Sequence, residues 1–497
     1  MIKQNNTFFI NTLIILITGF IIKLLGLINR IFITRLLGPS GMGLYVLSFP
    51  TIMLFISISG LSLNITTSKL VSESIKNKKY SPKILLFKSI KLSLIISVFT
   101  IFVFLLIINP LVFNWLRNKD LYIPLLSTVF LIPLVGISDT LRGYLNGIKD
   151  MKKSSISTLL EQIFRILLSI GFLYVFLPYG IITATFFCLI ALSIGEIASI
   201  IYCLVIFKKI GLIHYQNTKN EMNAIIKISI PSTLSRLIGN FTYFLEPILY
   251  VWILTKLNYS ADKIQNSYTI VNAYTLSLLT LGSFVSTALS TSVVPLISEN
   301  YAINNLSNVN YYIKKTLLYS LIPGIFITIF LILYSSEIMK LIYGTTFGSY
   351  EVCKFAIFFL PYYIQAPLAS IYQALGKSKS IFFISSIFNF LRLLLIVILA
   401  NINWINYDSL IIATFITLDL SCIIILYKIK KLTSLKVSYN NSITLVILFL
   451  FTFFITLLFK TLSINIFLNV LLVFIIYIFV ILKFHIIELN NFRKSKF

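Results

Sequence analysis

Lys23 and Arg30 lie seven residues apart inside an apolar run, Phe8 to Tyr45, of a chain of 497 residues. Gly19, Lys23, Gly26, Arg30 and Thr34 follow one another at spacings of four, three, four and four, which puts glycines and cations on one helical stripe. A cation at mid-membrane depth costs several kcal/mol unless it faces protein or water. Two such cations on one face call for a polar interior and suit the binding of an anion. A second stripe, Ser232, Arg236, Gly239, Tyr243, Glu246 and Tyr250, repeats the pattern and adds a carboxylate and two tyrosines. Asn64 shares a face with Ser57, Gly60 and Ser68, and Ser283, Thr287 and Ser290 form a further polar face. These stripes are expected to line a cavity, although small and polar faces also serve helix–helix packing. Arg35, nearer the outer end of the first span, is either a charge at the cavity mouth or an interfacial anchor.

Other ionisable residues read as structural. Glu161 and Arg165 are four apart and Asp139 and Arg142 three apart, both ion-pair spacings on a helix. Glu196, Arg392 and Asp419 stand alone in their spans and either couple an ion or join interhelical pairs. No catalytic constellation accompanies them: the sequence holds no phosphate-binding G-x-x-x-x-G-K motif, no G-x-G-x-x-G after a strand and no H-E-x-x-H. The four cysteines have no C-x-x-C spacing, and His214 and His485 lie far apart, so neither a metal nor a disulfide framework is expected. The protein is expected to be a transporter and not an enzyme. It needs no cofactor and is driven by Na+, H+, the membrane potential or the substrate's own gradient.

The elements that must position these residues are membrane spans. The chain is 58% hydrophobic and 11% charged, with a mean hydropathy of +0.96, too few charges to cover a soluble protein of this length. The first apolar run is too long for a signal-peptide core. Hydropathy and breakers predict fourteen spans, at 8–37, 44–72, 86–110, 121–146, 154–177, 181–207, 226–256, 268–299, 312–334, 348–375, 380–400, 408–427, 441–460 and 464–484. One set of alternate loops carries eighteen lysines, from Lys76 to Lys436 and including Lys219. The other carries six cations, among them Arg117, Lys256 and Lys460. That asymmetry places both termini in the cytoplasm. It also accounts for most of the net charge of +26 by topology, so nucleic acid is not an expected partner.

Two motifs recur. Lys69-Leu70-Val71-Ser72-Glu73 is echoed by Pro295-Leu296-Ile297-Ser298-Glu299, an offset of 226. Tyr144-Leu145-Asn146-Gly147-Ile148-Lys149 is echoed by Tyr372-Gln373-Ala374-Leu375-Gly376-Lys377, with a glycine offset of 229. The expected architecture is all-α: two six-helix lobes, 1–212 and 213–432, related by a pseudo-two-fold axis along the membrane normal. Two further spans and a cytoplasmic tail occupy 433–497. The glycines at 19, 26 and 239 are expected to permit close helix approach or bending.

Arg30 to Tyr45, Ser59 to Glu73, Leu141 to Asp150 and Thr287 to Glu299 resemble the polysaccharide-exporter branch of the multidrug/oligosaccharidyl-lipid/polysaccharide flippase superfamily. Within it the likeness is to a sporulation-protein group that is similar to lipid II flippases. The resemblance implies a central cationic cavity that exposes an undecaprenyl-diphosphate-linked sugar alternately to each side of the bacterial cell membrane. It implies lipid II, the peptidoglycan precursor, as the first substrate to consider. Arg30 and Arg35 match the family's first-helix arginines, with Lys23 and Arg236 as further cations. On this reading Lys23, Arg30 and Arg236 clamp the diphosphate, while Asn64, Ser283, Thr287 and Ser290 contact sugar. Glu246 has no place in the family pattern. A cation-coupled drug exporter of the same superfamily and a flippase for another wall or capsular lipid are the alternatives. Cell-wall synthesis enzymes are the expected partners of a monomer.

Overall fold

In the computed structural model, which describes residues 2–215, 220–435 and 439–483, those residues form helices and short connections and no strand. Lys219, Lys436 and His485 lie outside the described residues. Among the described residues eleven helices are long and apolar enough to cross a membrane, or up to thirteen if each of two bent pairs is one span. The bent pairs are Ala261–Leu279 with Ser283–Ala302, at 60°, and Ser349–Phe355 with Ile357–Ala374, at 59°. The chain is thus a multi-pass membrane protein. The first of the eleven, Thr18–Asn77, has 60 residues, about 90 Å at 1.5 Å per residue and some three times the thickness of a hydrocarbon core. It breaks at Gly38, whose φ of 64° and ψ of −175° are not helical, and the following Pro39 has no N–H to continue the ladder.

The chain divides into two compact units. The first, Met1–Ala273 with Ser385–Thr414, contains α1 (Ile2–Gly60), α2 (Leu63–Asn77), α3 (Pro82–Pro110), α4 (Tyr122–Gly147), α5 (Met151–Phe176), α6 (Ile181–Ile210), α7 (Glu221–Lys256) and α8 (Ala261–Thr269). Local chemistry sets the boundaries. Asp150 caps α5 by accepting the Lys153 N–H at 3.3 Å, and Gly180 and Gly211 break the chain with φ of 110° and 72°. Between α1 and α2, Leu61 and Ser62 both take left-handed backbone, at φ 45° and 50°.

Helix α3 is inside-out relative to a soluble helix. Ser89, Ser93, Ser97 and Thr100 are buried, whereas Val98, Phe99, Phe102 and Leu106 are each more than 60% exposed. Such a helix turns its apolar face to lipid and packs through its small hydroxyl residues. Three glycines of α4 mark close approach. A Cβ on Gly136 would stand 1.8 Å from Ser93 Oγ, one on Gly143 would stand 2.7 Å from the Asn64 carbonyl oxygen, and one on Gly147 would stand 2.6 Å from Val71 Cβ. The glycines expected to serve this purpose do not. A Cβ on Gly19 or Gly239 would meet nothing within 4 Å, and one on Gly26 would make an ordinary contact with Gln162 at 3.7 Å.

The second unit, Tyr274–Ile384 with Phe415–Phe497, contains α9 (Leu276–Leu279), α10 (Ser283–Ala302), α11 (Leu306–Leu333), α12 (Ser335–Tyr343), α13 (Ser349–Phe355) and α14 (Tyr362–Ala374). Helices α15 (Ser378–Ala400) and α16 (Ser409–Thr433) are divided between the units, and α17 (Tyr439–Thr461) and α18 (Ile466–Lys483) complete the second. Tyr363 organises its centre. The ring lies where a Cβ on Gly282 or Gly324 would sit, 2.7 Å and 2.4 Å away, and its hydroxyl donates to the Leu279 carbonyl at 2.9 Å. Helices α17 and α18 pack on α11 through Ile322, Ile325, Ile329, Leu448, Tyr477 and Ile481. There the Tyr477 hydroxyl donates to the Ile322 carbonyl at 2.7 Å, and Lys460 donates to the Leu333 carbonyl.

The recurring motifs meet in pairs. In the first unit Gly147 of one motif lies against Val71 and the Ser68 carbonyl beside the other. In the second unit Ser298 Oγ donates to the Ala374 carbonyl at 3.3 Å, so the corresponding motifs are again in contact.

Candidate functional site

Among the described residues of the first unit, a cavity of about 280 Å³ opens beside Arg30. From α1 it receives Gly26, Asn29, Arg30, Ile33, Tyr45 and Phe49, from α5 Gln162 and Arg165, and from α7 Tyr243. Asn272 completes the wall from a π-helical turn, Ile270–Thr275, where the backbone ladder is irregular. Arg30 Nη2 donates to the Asn272 carbonyl at 2.6 Å, which holds the guanidinium at the wall. Asn29 is fixed from behind, its Oδ1 accepting from Ser169 Oγ at 2.8 Å. The described lining holds two guanidiniums and no carboxylate. Two fixed cations in a confined space, with amides and a phenol around them, can take an anion that carries hydrogen-bonding substituents.

Arg165, read from its spacing as a structural partner, has both roles available. Its Nη1 stands 3.6 Å from Glu161 Oε1, and its side chain lines the cavity. Glu161 in turn belongs to a buried ionic cluster behind the wall. Arg142 reaches Glu161 through Nη1 at 2.5 Å, Glu196 through Nη2 at 3.2 Å and Asp139 through Nη2 at 3.5 Å, with Ser138 Oγ at 2.9 Å. The expected pairs Asp139–Arg142 and Glu161–Arg165 are thus present, and Glu196 joins them. Three helices, α4, α5 and α6, are tied together by one guanidinium.

The remaining expected site residues lie elsewhere. Arg236 is exposed, and its Nη2 donates to the Ser57 carbonyl at 3.2 Å. That carbonyl is released from the helical ladder because α1 ends at Gly60. Asp139 is close by, since a Cβ on Gly60 would stand 3.5 Å from Arg236 Nη2 and 3.6 Å from Asp139 Oδ2. Glu246 is 3% exposed and pairs with Arg392 Nη2 at 2.8 Å, so the carboxylate that the second stripe offered to a ligand has a protein partner. Of that stripe only Tyr243 reaches the cavity. Asn64 accepts from Asn146 Nδ2 at 3.3 Å. Lys23 and Arg35 are exposed on α1 and do not line the cavity.

In the second unit, Ser290 is buried and donates to the Ser286 carbonyl at 2.7 Å, and Thr287 donates to Phe284 O at 3.0 Å. Ser283 hydrogen-bonds the Tyr362 side chain. Helix α10 packs on α11 and α14, with Ser286 and Ser290 buried and Ser283 and Thr287 half-buried. Asp419 is half-buried on α16, and its Oδ1 makes no hydrogen bond among the described residues.

Gln162 and Asn272 escaped the sequence reading. Gln162 had a signal, three residues before Arg165 and so on the same helical face. Asn272 contributes a main-chain carbonyl, which no residue type announces.

The family described as polysaccharide biosynthesis protein matches residues 8–301. Stage V sporulation protein B of Bacillus subtilis (strain 168) is 33% identical over 385 residues, covering 76% of this chain and 74% of that protein. Among solved structures, the lipid II flippase MurJ in an inward closed conformation is similar at a TM-score of 0.72 and 18% identity, over 96% of this chain and 99% of that one. An inward-facing multidrug resistance MATE family transporter of the MOP superfamily is similar at a TM-score of 0.66 and 14% identity, over 83% and 95%.

Proposed function

Since the chain belongs to the polysaccharide biosynthesis protein family, we propose that it translocates an undecaprenyl-diphosphate-linked oligosaccharide across the bacterial cytoplasmic membrane by alternating access, with lipid II as the first candidate. The observation that carries this reading is the pair of guanidiniums, Arg30 and Arg165, in one cavity of about 280 Å³ with no carboxylate in its described lining. A diphosphate carries about two negative charges, and moving them unaided into a low-dielectric core is prohibitive. Fixed guanidiniums replace the lost hydration by charge-assisted, bidentate hydrogen bonds. The polyprenyl tail need not enter the cavity and can stay in the bilayer.

The same lining weighs against the cation-coupled drug exporter, whose cationic amphiphiles call for carboxylates. A flippase for another wall or capsular lipid shares the diphosphate chemistry and differs only in the sugar.

In this reading Arg30 and Arg165 hold the diphosphate, with Tyr243 beside them. Arg236, Lys23 and Arg35 attract the anion from outside the cavity, and Asn64 and the α10 hydroxyls act through packing. Glu246 with Arg392, and Arg142 with its three carboxylates, keep the helices in register.

Fourteen spans follow if Thr18–Asn77 is divided at Gly38 and each bent pair is one span. Both termini then lie in the cytoplasm, on the side of the lysine-rich loops. The lobes 1–212 and 213–432 are a division by internal repeat, supported by the matching motif contacts, and need not coincide with compactness. Residues 433–497 add the last two spans and the tail. The protein acts as a monomer beside cell-wall synthesis enzymes, coupled to Na+, H+ or the membrane potential.

Expression in a bacterium depleted of its lipid II flippase tests the reading. Growth should be rescued by the wild-type chain and not by Arg30→Ala present in the membrane at the same level. Rescue by Arg30→Ala would refute the role of that guanidinium.

A further inference from the structure

The cavity holds a polar group that the capture of a diphosphate does not use. Gln162 lies on α5 between Glu161 and Arg165, and it lines the same cavity as Arg30. It is 2% exposed, and among the described residues its Oε1 has no hydrogen-bond donor. An unmatched buried amide oxygen costs stability. An acceptor cannot contact a diphosphate favourably, because the phosphate oxygens are acceptors too. Resting on the translocation reading above, we infer that Gln162 reads the sugar: its Oε1 accepts a hydrogen bond from a donor on the first saccharide, while Arg30 and Arg165 hold the phosphates.

The spacing fits that division. Gln162 and Arg165 are three apart and share one face of α5, so a ligand held by Arg165 presents its next group about one helical turn away. The donor is either a ring hydroxyl or the N–H of an acetamido group. Gln162 thereby favours sugar-bearing lipid over the bare polyprenyl diphosphate left after sugar transfer, which gives the cavity a way to reject its product. Discrimination of this kind rests on the acceptor left unpaired when the donor is missing.

The test measures binding of three lipids to the purified full chain in detergent: undecaprenyl diphosphate, the same lipid bearing glucose, and the same lipid bearing N-acetylglucosamine. The wild type should favour a sugar-bearing lipid over the bare one. Gln162→Met should lower that preference about tenfold, the effect of losing one buried hydrogen bond. Gln162→Glu, which keeps an acceptor, should retain the preference even where its charge weakens binding of all three lipids. Arg30→Ala should weaken all three alike and leave the preference unchanged. A loss confined to the N-acetylglucosamine lipid identifies the acetamido N–H as the donor, and a loss with both sugars identifies a hydroxyl. If the wild type has no preference, or Gln162→Met keeps it, the inference is overturned while the diphosphate site stands. If the wild type binds none of the lipids, the translocation reading fails and the inference falls with it.

Discussion

Arg142 holds Glu161 at 2.5 Å across the interface of α4 and α5, and the second oxygen of that carboxylate faces Arg165 at 3.6 Å. The wall of the cavity is therefore braced by the cluster behind it. Arg142 also serves Glu196 and Asp139, so its removal would leave three carboxylates in the helix core without their shared partner. Arg142→Met should cost about 3–5 kcal/mol, the range for stripping one member from a buried ionic group. Thermal unfolding in detergent checks this, and a midpoint equal to wild type would contradict the bracing role.

Glu246 and Arg392 provide a cleaner separation of structure from binding. Either Glu246→Leu or Arg392→Met alone leaves one buried charge and should destabilise by about 3–5 kcal/mol. The double variant should recover most of that loss, because replacing a whole buried pair by apolar groups is often neutral or better. Growth rescue by the double variant would accompany the recovery of stability. A stable double variant that cannot rescue growth would return Glu246 to the transport path.

Much of this fold was legible in the sequence, since hydropathy and breakers have direct physical causes. A helical membrane bundle is what hydropathy predicts and what the described residues form, with eleven to thirteen helices able to cross a membrane; the interruptions at Leu61–Ser62 and in the two bent pairs carry no hydropathy signal. Spacing also found Asp139–Arg142 and Glu161–Arg165, because partners within one turn of a helix are fixed by its geometry. It could not find Glu246–Arg392 or Arg142–Glu196, which join residues remote in sequence through tertiary packing. The same limit explains the stripe on α7: one face bears Arg236, Tyr243 and Glu246, but they go to the Ser57 carbonyl, the cavity and Arg392 respectively.

The glycines give a third prediction with opposite signs. Gly143→Ala must push a Cβ to within 2.7 Å of the Asn64 carbonyl oxygen, against backbone that yields little. It should destabilise by about 1–3 kcal/mol through overpacking. Gly239→Ala meets nothing within 4 Å on α7 and should be neutral, or stabilise by up to about 1 kcal/mol from helix propensity. Unfolding midpoints of the two variants compare them directly, and the reverse order would contradict the packing described.

Arg165 ties the brace to the cavity, and its conservative replacement separates the two roles. Arg165→Lys keeps a charge near Glu161 but loses the planar fork, so it should unfold close to wild type and bind undecaprenyl diphosphate about tenfold more weakly. Wild-type affinity in this variant would remove Arg165 from the anion site.

The proposed translocation rests on the Arg30 and Arg165 guanidiniums, which hold the lipid-linked diphosphate. Its most direct measurement is translocation of fluorescent lipid II by the purified protein in liposomes. The wild type should move the lipid between leaflets, and the double variant Arg30→Ala, Arg165→Ala, inserted in equal amount, should move it no faster than empty vesicles. Translocation at the wild-type rate by the double variant would contradict the account.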